Sequence, residues 1–147
     1  MIAVDTNILV YATDSRAGEK YAVAKSLLAT TMSARMLVLP LQVLGEFAHV
    51  AVRKAKHSPE VAAEFVVAWS AVARVEAYHL GDVRAALRAR IDHGLPFWDA
   101  LIWAVCARCG AGTLITEDFQ DGRPLGGVTF IDPFRPGNAA RLERALR

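Results

Sequence analysis

The sequence predicts an α/β fold, a mainly parallel sheet of about five strands with helices on both faces. Two observations carry that prediction. The candidate strands are short and apolar, without the polar alternation of a half-exposed sheet. Segments with a 3.6-residue apolar period fall between most of them. Size and composition add that 147 residues, 54 % hydrophobic, suit one domain around one core.

The elements follow in order. Residues 2–5 read as a buried strand that stops at Asp5, with Thr6 and Asn7 directly behind it. Residues 19–32 read as a helix, with Tyr21, Ala24, Leu27 and Leu28 on one stripe. Residues 36–39 form the next strand, bounded by Pro40. Residues 41–54 are helical, since Val43, Leu44, Phe47, Val50 and Ala51 keep the helical period. Ser58 and Pro59 are an N-cap and first-turn proline, opening a helix whose stripe is Val61, Phe65, Val66, Trp69 and Val72. Residues 75–78 are a third strand and 81–93 a helix, broken by Gly94, Leu95 and Pro96. Residues 97–109 form a strongly apolar helix ended by Gly110. Residues 113–115 and 128–131 are the last two strands. From Pro136 onward the chain is basic and weakly patterned, and is expected to be the most loosely held part.

Composition excludes several classes. No apolar run is long and charge-free enough to cross a bilayer. Asp5 falls early, with no basic stretch before it, so no signal peptide is expected and the cytoplasm is the expected compartment. A formal charge of +2 does not announce a nucleic-acid binder. Sequestering several acids in one site would leave the remaining surface more basic. Cys106 and Cys109 form a C-x-x-C inside an apolar helical run, with no second pair, so packing is their expected role. Nucleotide-binding glycine loops and the G-x-S-x-G elbow are missing.

The acids are the informative residues. In a parallel sheet with helical crossovers, strand ends and helix starts share one edge, where ligands bind. Asp5 ends the first strand, and Asp118 follows the strand ending at Ile115. Glu46 lies on the helix leaving the second strand, about 9 Å along it from Pro40. Asp99 lies in the first turn of the 97–109 helix and joins them if that helix points the same way. Each has an ordinary alternative: a turn, a solvated face, a helix-dipole partner. Their coincidence at one edge is what those alternatives explain poorly. Glu117 and Asp121 stand beside them as candidate additional acids, and which of Asp118 and Asp121 lies closer to a bound ion stays open.

Clustered carboxylates raise one another's pKa unless a cation compensates. Oxygen ligands without convergent His or Cys fit Mg²⁺ or Mn²⁺ better than Zn²⁺. Such ions activate water and hold phosphoryl oxygens, so phosphodiester hydrolysis is the leading chemistry. Thr6, Asn7 and Thr116 are neutral groups placed to orient the carboxylates or a water. Arg53, Lys54 and Lys56 at a helix end are candidate phosphate contacts, with Arg123 and the tail residues Arg135, Arg141, Arg144 and Arg147 weaker ones. The Phe65 to Trp69 stripe reads as core, with a subunit or partner groove as the alternative.

Four blocks resemble the PIN domain, and more closely the VapC-type toxins of bacterial toxin–antitoxin pairs. They are Asp5-Thr6-Asn7, LQVLGEF around Glu46, PFWDALI around Asp99 and LITEDFQDG around Asp118. They occur in the family's order across residues 1–134, with 135–147 as a basic C-terminal tail. The resemblance implies an α/β/α sandwich and a Mg²⁺- or Mn²⁺-dependent ribonuclease with Asp5, Glu46, Asp99 and Asp118 as its acids. It matches Thr116 and Asn7 to the family's polar neighbours of those acids. It further implies homodimers, an RNA substrate and a small antitoxin that blocks the cleft. IDPF at residues 131–134 departs from the pattern, since many relatives carry Asn at the position of Asp132. Two rival readings are a silent RNA-binding or scaffold module and a metal-dependent phosphatase. A scaffold has no need of mutually repelling acids. Such phosphatases often need a second Asp two residues after the first, where this chain has Asn7.

Overall fold

A computed structural model describes residues 1–146. The order is β1 (Ile2–Val4), α1 (Thr6–Thr13), α2 (Glu19–Ser33), β2 (Leu37–Pro40), α3 (Leu41–Arg53), α4 (Pro59–Val72) and β3 (Arg74–Glu76). Then come α5 (Leu80–His93), α6 (Phe97–Cys109), β4 (Thr113–Ile115), β5 (Pro124–Leu125), β6 (Val128–Ile131) and α7 (Ala139–Ala145). A single 3₁₀ turn, Ser15–Ala17, links α1 to α2.

The strands form one sheet in the order β3-β2-β1-β4-β6-β5. Every pairing is parallel except β5 with β6. Every residue of the central β1 and β2 is buried, as a sheet covered on both faces requires. The expected α/β architecture is therefore the observed one, with a sixth strand added at the edge. Pro124 has no N–H to give a ladder, and an edge is where a strand proline is tolerated.

Local rules set the element ends. Ser58 caps α4, its Oγ accepting from the Val61 amide at 3.3 Å, with Pro59 at the first helical position. Gly94 and Gly110 close α5 and α6 in the left-handed conformation that glycine adopts at little cost. Phe47, fully buried, meets Trp69 at 4.7 Å and Phe65 at 6.2 Å between ring centroids, so that stripe packs α4 onto α3. Cys106 is buried and Cys109 half-buried, both as free thiols. Burial pushes the Cys106 thiol far above its ordinary range, which makes it an inert packing residue.

The C-terminal segment differs from expectation. It forms α7 behind a buried Asn138, and Leu142 and Leu146 pack against the core. Arg147 lies outside the described residues.

Candidate functional site

β1 leads directly into α1, and Asp5 is the cap between them. Register puts Val4 beside Ile115 and Ile115 beside Ile131. Asp5 and Thr116 therefore leave the sheet side by side, their amides donating to Ile115 O and Ile131 O at 3.0 Å each. Asp5 is only 5 % exposed. One of its oxygens accepts from the Thr6 amide at 2.6 Å and the other from Thr116 Oγ1 at 2.8 Å.

The same small residues hold the other acids. Thr6 Oγ1 donates to Glu46 Oε2 at 2.7 Å, and Gln42 Nε2 donates to Glu46 Oε1 at 2.7 Å. Thr6 thus ties α1 to α3, with its amide on Asp5 and its hydroxyl on Glu46. Gln42 Nε2 also reaches the Trp98 carbonyl at 3.2 Å, joining α3 to the first turn of α6, where Asp99 sits. Asn7 Nδ2 donates to Asp118 Oδ2 at 2.8 Å, and the Asp118 amide donates to Thr116 Oγ1 at 3.1 Å. Among the described residues, Asp99 receives no hydrogen bond from the chain.

The four acids feel one another. Burial, with Asp118 and Asp99 adding to it, pushes the Asp5 carboxyl up to about 6 despite its two donors. Asp99 is raised by burial and then by Asp118 and Glu46. Asp118 is raised by burial and then by Glu117, while Lys20 and Asn7 pull it back. Among the described residues, no Lys or Arg forms an ion pair with any of the four. Lys20 pairs instead with Glu117, whose other oxygen accepts from Tyr11 Oη at 2.5 Å.

The two candidate additional acids are engaged elsewhere. Glu117 faces Tyr11 and Lys20, and the Lys20 ammonium lies 4.7 Å from the Tyr11 ring centroid and 4.9 Å from that of Phe134. Asp121 is bound by the Asp132 amide at 3.0 Å, Asn138 Nδ2 at 2.7 Å and Arg141 Nη1 at 3.1 Å. Of Asp118 and Asp121, only Asp118 couples to Asp5 and Asp99. Asp132 Oδ1 accepts from the Phe134 amide at 2.9 Å, a turn contact that Asn makes equally well. That is why Asp in this position leaves the local backbone intact.

Arg53, Lys54 and Lys56 form an exposed rim at the end of α3. Seven residues separate Glu46 from Arg53, two turns or about 10 Å, so both lie on one face of the helix. His49 bridges that face, its Nε2 lying 3.2 Å from Arg53 Nη1. Arg123 does not join them; it precedes β5 at the sheet edge. Gln42, Tyr11 and Lys20 were not among the residues the sequence singles out. Gln42 carried a signal, standing one helical turn before Glu46. The Lys20 to Glu117 pair spans 97 positions and carried none.

Hard oxygen donors with an uncompensated negative field fit a divalent cation in kind. Among the described residues, no group of three or more acidic, His or Cys side chains is set to hold a metal as it stands.

A family model described as the PIN domain matches residues 2–120. The chain belongs to the PIN domain family. Among solved structures, it is similar to Mycobacterium tuberculosis VapC20, described as a sarcin–ricin loop cleaving toxin. The identity is 26 % and the TM-score 0.65, covering 78 % of this chain and 87 % of that one. No curated protein matches the chain in sequence. The PIN domain match takes in all four acids, and its end at residue 120 falls just past Asp118. Among the described residues, no helix of this PIN domain is long and apolar enough to cross a membrane.

Proposed function

We propose that this PIN domain protein is an endoribonuclease, the toxin of a toxin–antitoxin pair, acting in the cytoplasm. The observation that carries the reading is the cluster of Asp5, Glu46, Asp99 and Asp118, brought together from four separate segments with no ion pair to any of them among the described residues. Its family and its similarity to a toxin that cleaves the sarcin–ricin loop support RNA as the substrate class.

Asp5, Glu46, Asp99 and Asp118 would hold Mg²⁺ or Mn²⁺. Such an ion, when bound, lowers the pKa of water and offsets charge developing on phosphoryl oxygens. Thr6, Thr116, Asn7 and Gln42 orient Asp5, Glu46 and Asp118, and the carboxylates would still have to close in around the ion. Asp99, which receives no donor among the described residues, is the acid freest to engage a ligand. Arg53, Lys54 and Lys56 supply phosphate contacts along the face that continues from Glu46. A homodimer and an antitoxin that covers the acids complete the proposal, as does a nuclease unit over residues 1–134. Residues 135–146 dock onto that unit through Asn138 and α7.

The purified chain is expected to cut RNA with Mg²⁺ or Mn²⁺ and to stop in EDTA. Undiminished cutting in excess chelator removes the metal-assisted mechanism. Induction without a partner is expected to arrest bacterial growth, and Glu46→Gln to relieve it. Normal growth with soluble, active nuclease present removes the toxin role and leaves the nuclease role.

A further inference from the structure

Trp98 is unusual among the three tryptophans. Trp69 is buried against Phe47 and Phe65, and Trp103 is half-buried with its N–H on the Leu125 carbonyl at 2.9 Å. Trp98 is 59 % exposed. A solitary exposed apolar side chain needs no explanation in itself. Three features set this one apart. It directly precedes Asp99 in the first turn of α6, so its Cα lies about 3.8 Å from that of the acid. Its carbonyl is held at 3.2 Å by Gln42, the same amide that holds Glu46, so the backbone carrying the ring is indexed to the acids. And the connection leading into it, Gly94 to Pro96, lines an open depression of about 430 Å³ with the exposed Arg90 beside it.

We propose that Trp98 is a stacking platform for one base of single-stranded RNA beside the scissile phosphate, and that Arg90 seats a neighbouring phosphate. The proposal rests on the ribonuclease reading. Phe97 braces the indole, with centroids 5.1 Å apart and planes at 71°, and leaves most of the ring open. Every base has a π-face, so such a platform fixes where the strand lies without demanding one sequence. Arg90, six residues before Pro96, lines the depression that leads up to the Phe97–Trp98 pair, which suits it to a backbone phosphate there. The acids then meet a phosphate whose neighbouring base is already held, which favours cutting unpaired over fully paired RNA.

The test uses the full chain carrying Asp5→Asn, which is expected to bind without cutting, and labelled single-stranded RNA of about ten nucleotides. Abasic positions are introduced one at a time. One position is expected to weaken binding about tenfold when its base is removed. Adding Trp98→Ala is expected to weaken intact RNA about tenfold and to abolish sensitivity to that position, with Trp98→Phe intermediate. Arg90→Ala is expected to weaken all the oligomers alike and to lower the salt slope by about one. Unchanged affinity and an unchanged abasic profile in Trp98→Ala overturn the stacking role; an unchanged salt slope in Arg90→Ala overturns the phosphate seat. If Trp98→Ala alters sedimentation while RNA binding stays unchanged, the ring belongs to a contact between copies of the chain and the proposal fails. A wild-type chain that cuts RNA while Trp98→Ala keeps its profile removes only the stacking inference. A chain that neither binds nor cuts RNA removes the ribonuclease reading with it.

Discussion

Asp5 is buried and Asp121 half-buried, and both accept several hydrogen bonds. Asp5 takes the Thr6 amide at 2.6 Å and the Thr116 hydroxyl at 2.8 Å. Asp121 takes the Asp132 amide at 3.0 Å and the Asn138 amide group at 2.7 Å. Their pKa values nevertheless move in opposite directions. Burial raises Asp5 to about 6, with Asp118 and Asp99 adding to it. Burial would raise Asp121 as well, but the Asp132 and Asn138 donors and then Arg141 and Arg135 hold it below the usual carboxylate range. The difference is the sign of the neighbours. Asp82, buried at the start of α5, also has a cation beside it, with Arg108 Nε at 3.0 Å from both of its oxygens. Where a buried acid serves the fold, this chain supplies a cation; at the end of β1 it supplies more acids.

The largest test of that contrast is activity. Asp5→Asn keeps the shape and removes the charge at the centre of the cluster. RNA cleavage is expected to fall at least about 100-fold, a typical cost for losing a central electrostatic group. Its circular dichroism is expected to match wild type. Asp121→Asn is expected to do the reverse. It weakens charge-assisted contacts to Asn138 and Arg141, which costs about 1–2 kcal/mol in denaturant unfolding. The folded fraction keeps specific activity within a few-fold. An Asp5→Asn protein of full activity, or an inactive but undiminished Asp121→Asn, breaks the comparison.

Much of this arrangement is legible in the sequence. Apolar runs closed by Pro40, Gly94 to Pro96 and Gly110 mark β2, α5 and α6, since these residues punctuate structure locally. Convergence at one edge follows from the parallel topology, which carries Asp5 and Thr116 out of adjacent strands. The missing parts depend on contacts between distant residues. α7 has one large apolar residue, Leu142, and its start is fixed by Asn138 reaching Asp121 across 17 positions. Asp121 and Glu117 look like Asp118 in the sequence, because an acid's role is set by its neighbours. Lys20 selects Glu117, and Arg141 and Asn138 select Asp121.

The second test is pH. The folded Asp5 carboxyl holds its proton up to about 6, whereas the unfolded chain releases it near 3.8. Between those values the native state binds more protons, so stability falls as pH rises through the window. The difference amounts to about 3 kcal/mol once pH is well above 6. Asp99 and Asp118, also raised, act with the same sign. Denaturant unfolding in EDTA is expected to show greater stability at pH 5 than at pH 7 once the other groups' common background is subtracted. Asp5→Asn should flatten that slope, and Asp121→Asn should not. A slope that survives Asp5→Asn unchanged assigns the pH dependence to other groups.

The smallest expected effect is also the most discriminating, because two forces on Asp99 oppose each other. Its place in the first turn of α6 lets the carboxylate favour the helix dipole by about 0.3–1 kcal/mol. Against that stand Asp118 and Glu46, each costing up to about 3 kcal/mol at roughly 6 Å and an effective dielectric near 20, before solvent screening. Screening reduces the repulsion at a half-buried site, but two like charges still outweigh one helix end. Asp99→Asn is therefore expected to gain about 1 kcal/mol in EDTA, or about 3 °C in melting temperature for a chain of this size. Millimolar Mg²⁺ or Mn²⁺ should stabilise wild type by binding the native state, and the variant less. The two melting curves should therefore approach or cross as the ion is added, while cleavage is lost in the variant. If Asp99→Asn instead melts lower in EDTA and responds to the ion like wild type, the dipole is the stronger force. Asp99 then belongs with Asp121 among the acids that serve the fold.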